Sequence, residues 1–251
     1  MSFGTPHRHF RRVGSTNTVA RELAEAGGPN GTVVTADEQT AGRGRQGRAW
    51  TAAPGAALLY SAIVRPLGPR HPLLPLAVPL AVCEAAERLR PGIGCKVKWP
   101  NDVHLGGRKL AGILIEARPQ AEWAVVGVGL NLTIAAEDFP AELRDRATSL
   151  FADRRAPTYP SPARISRSAG GSPADQARIG LDEALARWVE ADSATVLAAW
   201  RERDTLLGRE VSWEQGSGVA EGIDERGYLL VRLADGDRVA LGAGDVHLTS
   251  F

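Results

Sequence analysis

The sequence predicts an α+β fold, a mixed β-sheet flanked by helices with a small all-β module after it. Three observations carry this. Apolar, β-branched runs follow one another with few helical patterns between them, unlike the regular strand–helix alternation of a parallel sheet. The helical patterns that do occur are amphipathic and lie at the edges of these runs. After Gly208 only short strand patterns recur, punctuated by Asp224-Glu225-Arg226-Gly227 and Asp235-Gly236.

Taken in order, residues 8–14 form a first strand. Ser15-Thr16-Asn17 supplies cap residues for a helix running to about Ala26, with Val19, Leu23 and Ala26 on one face and Gly27-Gly28 as its stop. Residues 31–36 (GTVVTA) read as a buried strand, and residues 57–64 as the next. Residues 73–89 have a helical pattern, in which Pro75 and Pro79 predict a late start or a kink. Val97-Lys98-Trp99 is a short strand. His104-Leu105-Gly106-Gly107-Arg108 suits a hairpin turn, returning as a strand over residues 109–116, with another over residues 123–132.

Residues 154–180 are rich in proline, serine and glycine without a period, and read as a loop or flexible segment. Helical stretches follow over residues 181–191 and 195–206. Strands are expected over residues 210–214, 218–223, 228–233, 238–241 and 246–248. The chain is thus expected to divide into residues 1–206, with 154–180 as an irregular insert, and a small C-terminal β-domain over residues 207–251.

Composition narrows the function. At 251 residues, 43% hydrophobic and 24% charged, the chain can build a core and is not disordered. A formal charge of +1 provides no global field for DNA, RNA or an anionic membrane, while a local patch for a small anion remains open. Cys83 and Cys95 make neither a disulfide framework nor a zinc site, and are expected as buried free thiols. There is no secretion-signal pattern and no apolar run long enough for a membrane span. A cytoplasmic protein is expected.

Three segments carry chemistry. The first, residues 39–50, runs Gln39-Thr40-Ala41-Gly42-Arg43-Gly44-Arg45-Gln46-Gly47-Arg48-Ala49-Trp50. Glycines free backbone amides to face an anion, and arginines add forked donors for phosphate or carboxylate. It is neither a P-loop nor a dinucleotide fingerprint. The second holds the only three lysines, Lys96, Lys98 and Lys109, around Trp99-Pro100-Asn101-Asp102. Lys109 leads an apolar strand, so its ammonium is expected at a pocket, placed to be shared by an attacking carboxylate and an α-phosphate. Asp102 is a candidate for magnesium or for positioning a ligand. The third holds Gly127, Gly129 and Asn131. Strand glycines mark close approach by a ligand or backbone. For Asn131 two roles stand open, donation to a nucleotide or capping the strand end.

Together the blocks GRGRQGRAW (42–50), KWPNDVHLGGRKLAGILIE (98–116) and VVGVGLNL (125–132), with GSTN at 14–17, resemble biotin protein ligases. The resemblance covers residues 10–150 closely and 181–251 more loosely. It implies a catalytic fold related to class II aminoacyl-tRNA synthetases, with a C-terminal SH3-like β-barrel. It implies ATP and biotin as substrates, Mg2+, and a biotin carboxyl carrier domain as acceptor. Lys109, Arg43 and Arg45 match the catalytic positions. Ser15, Thr16, Asn17, Gln39, Arg43, Lys109 and Gly112 match the biotin side. Arg45, Arg48, Trp50, Lys98, Asn101, Asp102 and Asn131 match the ATP side, with Asp102 also the metal candidate. Trp99 reads as structural.

The block begins within about fifteen residues of Met1, so the monofunctional form without an N-terminal helix-turn-helix, and no DNA binding, is expected. A homodimer is compatible with the resemblance. The competing readings are a lipoate or octanoate transferase on the same fold, an inactive biotin- or carrier-binding module, and RNA binding through the arginine loop.

Overall fold

The computed structural model describes residues 2–69, 71–152 and 171–242. The larger body is a seven-stranded sheet. Its strands are β1 (His7–Val13), β2 (Val33–Gln39), β3 (Ala57–Val64), β4 (Lys96–Lys98), β5 (Asp102–Leu105), β6 (Arg108–Arg118) and β7 (Trp123–Asn131), in the order β1-β2-β3-β7-β6-β5-β4. Only β1 and β2 pair in parallel; every other neighbour is antiparallel. The predicted mixed sheet is therefore present.

Helix α1 (Thr16–Glu25) covers one face, against β2, β3 and β7. Helix α2 (Leu74–Leu89) covers the other, with α3 (Pro173–Trp188) and α4 (Ser193–Arg201) packed behind it. The alternation of β7 decides which residues face which layer. Val126, Val128 and Leu130 join the core beneath α2, leaving Gly127, Gly129 and Asn131 for the α1 side.

Two helix expectations need correction. Helix α2 starts at Leu74, not late: Pro75 sits in the first turn, where its missing amide costs nothing, and Pro79 is accommodated inside the helix. Helix α3 starts at Pro173, inside the segment expected to be irregular. Ser172 and Asp175 form a complete capping box, in which Ser172 Oγ accepts from the Asp175 amide and Asp175 accepts from the Ser172 amide, with Pro173 in the first turn. The proline- and serine-rich composition hid a helix start signal. The rest of that segment, residues 154–170, and the expected strand over residues 246–248 lie outside the described residues.

The C-terminal part is a four-stranded antiparallel sheet of β8 (Glu210–Trp213), β9 (Gly216–Ile223), β10 (Leu229–Arg232) and β11 (Arg238–Leu241). It shares the main core: Val211, Ala220, Leu229 and Val231 belong to the same buried cluster as Leu76 and Leu80 of α2. Trp99 is 1% exposed and its Nε1 donates to the Gly227 carbonyl at 3.1 Å. The tryptophan after β4 thus ties the two sheets together, in keeping with its structural reading. Cys83 and Cys95 are free and buried, as expected. Among the described residues no helix is long and apolar enough to cross a membrane.

Candidate active site

The site forms on the α1 face, where the arginine loop, the β4–β5–β6 corner and the strand glycines of β7 converge. The loop is a closed hairpin. Arg43 bridges Ala49, the Trp50 amide donates to the Gly42 carbonyl at 2.9 Å, and a short 3-10 turn over Arg45–Gly47 makes its tip. The Trp50 indole lies on the sheet. A Cβ on Gly129 would stand 2.3 Å from the indole, and one on Gly112 2.9 Å, so these two glycines make its seat. Trp50 Nε1 is buried with no hydrogen-bond partner among the described residues.

Lys109 reaches this seat because β6 carries a bulge. Asp102 pairs with Gly112 and Val103 with Ala111, but His104 pairs with Lys109, leaving Leu110 as the extra residue. Strict alternation would send Lys109 and Gly112 to opposite faces. The bulge brings the Lys109 ammonium onto the face of Gly112, where a Cβ would lie 3.2 Å from Nζ. Lys109 Nζ then pairs with Asp102 Oδ1 at 2.8 Å and stands 5.7 Å from the Trp50 ring centre.

Asp102 is a carboxylate shared by several cations. Lys98 is its cross-strand partner on β4. Burial, then repulsion from Lys109, Arg146 and Arg48, pulls the Lys98 ammonium down to about 8, against the opposing pull of Asp102. Burial likewise lowers Arg45, again with Asp102 opposing and Arg48 assisting. Arg45 Nη1 donates to Asn101 Oδ1 at 3.3 Å, and Asn101 Nδ2 donates to the Ile113 carbonyl at 2.6 Å. Lys98, Lys109 and Arg45 thus gather round Asp102, with Arg48 and Arg146 near enough to Lys98 to act on its charge. Such a cluster is poised for a polyanion.

The remaining sequence candidates sit apart from this cluster. Arg43 Nη2 donates to Thr18 Oγ1 on α1 at 3.0 Å and borders a cavity of about 470 Å³ shared with Ser15 and Gly42. Ser15 occupies the N-cap position of α1 without making a side-chain cap bond. The Thr16 amide and hydroxyl instead face Gln39 Oε1, at 2.7 and 3.0 Å. Asn17 Nδ2 donates to Glu116 Oε2 at 2.8 Å. Asn131 Nδ2 donates to the Thr148 carbonyl at 3.0 Å.

Sequence reasoning missed Ser61, Glu116 and Arg146. Ser61 is the one serine inside an otherwise apolar strand, beside Tyr60, which is the available signal. Glu116 ended the quoted motif and was not assigned a role. Arg146 gave no signal, because only the tertiary fold sets its carbonyl against the Lys109 amide, at 2.7 Å.

Known proteins resemble this chain over both of its parts. Residues 9–132 match the model of the biotin/lipoate A/B protein ligase family, and residues 206–248 match the biotin protein ligase C-terminal domain. The biotin--[acetyl-CoA-carboxylase] ligase of Mycobacterium tuberculosis is 35% identical over 256 residues, covering 94% of this chain and 87% of that one. The chain belongs to the biotin protein ligase family.

The bifunctional ligase/repressor BirA of Bacillus subtilis is 41% identical over 143 residues, 55% of this chain. That match spans 44% of the length of the Bacillus protein. Among solved structures, the biotin protein ligase from Aquifex aeolicus in complex with biotin and ATP superposes with a TM-score of 0.76 at 26% identity, covering 96% of this chain and 97% of that chain.

Proposed function

We propose that the protein is an ATP-dependent biotin protein ligase acting on a biotin carboxyl carrier domain. The observation that carries this reading is the bulge-directed Lys109, held by Asp102 within a crowd of cations and over a seat built by Gly112, Gly129 and Trp50. Two anions, a carboxylate and a nucleotide triphosphate, must meet in the first step, and their repulsion needs such a cluster. The solved Aquifex relative holds biotin and ATP, which supports these two substrates here.

In the first half-reaction a biotin carboxylate oxygen attacks the α-phosphorus, the bond to pyrophosphate breaks, and biotinyl-5'-AMP forms. Lys109 is assigned to the carboxylate and α-phosphate. Arg45, Arg48, Lys98 and Asn101 are assigned to the phosphates, with Asn131 on the nucleotide side. Arg43, Ser15, Thr16, Asn17 and Gln39 are assigned to the biotin side, with Gly112 and Trp50 at the join. In the second half-reaction a carrier lysine amine attacks the acyl carbon, the bond to AMP breaks, and the amine proton is released. The arginine loop keeps water from the mixed anhydride. Residues 1–206 are read as the catalytic domain and 207–251 as the C-terminal one.

Magnesium is assigned to the nucleotide and not to a protein cage. No group of three His, Cys, Asp or Glu side chains suits a metal among the described residues, and Asp102 is held by Lys109. Asp102 is at most one ligand to an ion that arrives with ATP.

The test is intact-mass analysis of a carrier domain incubated with the protein, biotin, ATP and magnesium. A gain of one biotin on one lysine is expected. No gain with a competent carrier overturns the reading and turns attention to lipoate and octanoate as donors.

A further inference from the structure

A polar chain with a buried middle runs from Glu116 of β6 to Gln39 at the end of β2, and its hydrogen count does not balance. Asn17 Nδ2 faces two groups that only accept, Glu116 Oε2 at 2.8 Å and the Leu114 carbonyl at 3.4 Å. Its orientation is therefore fixed, and Oδ1 points to Ser61 Oγ at 2.6 Å. Gln39 is fixed at the other end, because its Oε1 faces the Thr16 amide, which only donates. Between these two acceptors lie two hydroxyls. Three oxygen–oxygen contacts result: Asn17 to Ser61 at 2.6 Å, Ser61 to Thr16 at 2.8 Å, and Thr16 to Gln39 at 3.0 Å. Two hydroxyl hydrogens cannot bridge three contacts.

The contact left bare is the one that costs least. Gln39 Oε1 already has the Thr16 amide, and 3.0 Å is the longest of the three. The hydrogens then run one way, from Thr16 to Ser61 to Asn17, and Asn17 donates on to Glu116. Thr16 Oγ1 and Gln39 Oε1 are left facing each other as two acceptors. Thr16 is 3% exposed, so its hydroxyl oxygen has little access to water, while Gln39 is only half-buried. The chain also needs Gly127, where a Cβ would stand 2.1 Å from Asn17 Oδ1.

We propose that Ser61 and Glu116 are positioning residues for biotin recognition: they polarise the chain so that Thr16 and Gln39 demand an N–H from the ligand, which a ureido ring supplies. The inference rests on the proposed biotin ligase function. It makes the site select against a ring that offers oxygen where biotin offers N–H, since oxygen adds a third acceptor to two.

The test compares biotin with two cyclic-carbamate analogues, each with one ureido N–H replaced by oxygen, in ligand-dependent ATP–pyrophosphate exchange. The wild type is expected to disfavour at least one analogue by about tenfold or more. Ser61→Ala removes one hydroxyl and two contacts, so Thr16 is free to donate to Gln39 or to a ring oxygen. Its preference is expected to fall to within about threefold, with KM for ATP unchanged. Glu116→Leu is expected to reduce the preference in the same direction. Glu116→Gln is expected to retain it, because a side-chain carbonyl still accepts from Asn17. These two variants carry the test if Ser61→Ala does not fold. Equal losses on biotin and analogue in Ser61→Ala and Glu116→Leu mean a merely structural role and overturn the inference. No biotin-dependent exchange by the wild type overturns the ligase reading as well.

Discussion

Lys109 Nζ stands 2.8 Å from Asp102 Oδ1, across a bulge that sets the two on one face of the sheet. The pair is half-buried, with side chains 33% and 23% exposed. An ammonium held this way is oriented before substrate arrives and keeps donors for a carboxylate and a phosphate. Replacing Lys109 with alanine is expected to lower biotin-dependent ATP–pyrophosphate exchange by about 100-fold or more, the size of losing one preorganised charge at a developing anion. Thermal unfolding is expected to change little, because Lys98 and Arg45 remain beside Asp102. Normal turnover by the variant would remove Lys109 from the proposed chemistry.

The depressed Lys98 ammonium makes two opposite pH dependences. With its folded value near 8, the free protein loses this charge as pH rises through 8, while the unfolded chain keeps it to about 10.5. KM for ATP is therefore expected to rise above pH 8, by up to about tenfold per unit, because the polyanion binds the protonated form. Fold stability is expected to gain over the same window, from about 8 to 10.5, since there the unfolded chain binds more protons. Lys98→Met should flatten both slopes. Steady-state kinetics and denaturant melts across pH 7 to 10 read them separately, and a KM for ATP or a stability that falls from pH 8 to 10 would contradict the assignment.

Trp99 predicts a loss of stability without a loss of chemistry. Trp99→Phe removes the bond to the Gly227 carbonyl and leaves a small void at a site 1% exposed. A destabilisation of about 1–3 kcal/mol is expected in urea unfolding. Adenylation by the folded fraction should stay near wild type. A large drop in turnover at unchanged stability would mean that Trp99 touches the reaction.

How much of this was legible in the sequence follows from how local each signal is. The strand-rich order and the Gly106–Gly107 hairpin could be read because alternation and turn chemistry are properties of neighbours in the chain. Gly106 and Gly107 take φ of 57° and 77°, as a paired-glycine turn requires. The start of α3 was also local, yet the composition around Ser172 concealed it. The site residues were legible as types, not as an arrangement. No periodicity shows that Leu110 bulges and turns Lys109 over, that Arg43 leans to Thr18 while Arg45 leans to Asn101, or that Ser61 completes a chain between two distant asparagine and glutamine side chains. Those depend on register between strands and on which loop meets which helix.

The seat of Trp50 gives the last prediction. A Cβ on Gly129 would stand 2.3 Å from Cε2 of the indole and 2.6 Å from Nε1, in a strand whose backbone is held on both sides by β3 and β6. The strand cannot yield, so Gly129→Ala must lift the indole. Lifting it withdraws the ring from Lys109 and unseats the C-terminal leg of the hairpin that carries Arg43, Arg45 and Arg48. The sheet itself should survive, since the added methyl points to the α1 side and not into the core beneath α2. Limited proteolysis is therefore expected to cut within residues 42–50 faster than in the wild type. The adenylate should also escape more readily, seen as a rise in biotin labelling of unrelated lysines. Trp50→Ala in the Gly129→Ala background should add little further effect, because the two changes remove the same contact. Full additivity of the two would mean that the indole is held by something other than this glycine seat.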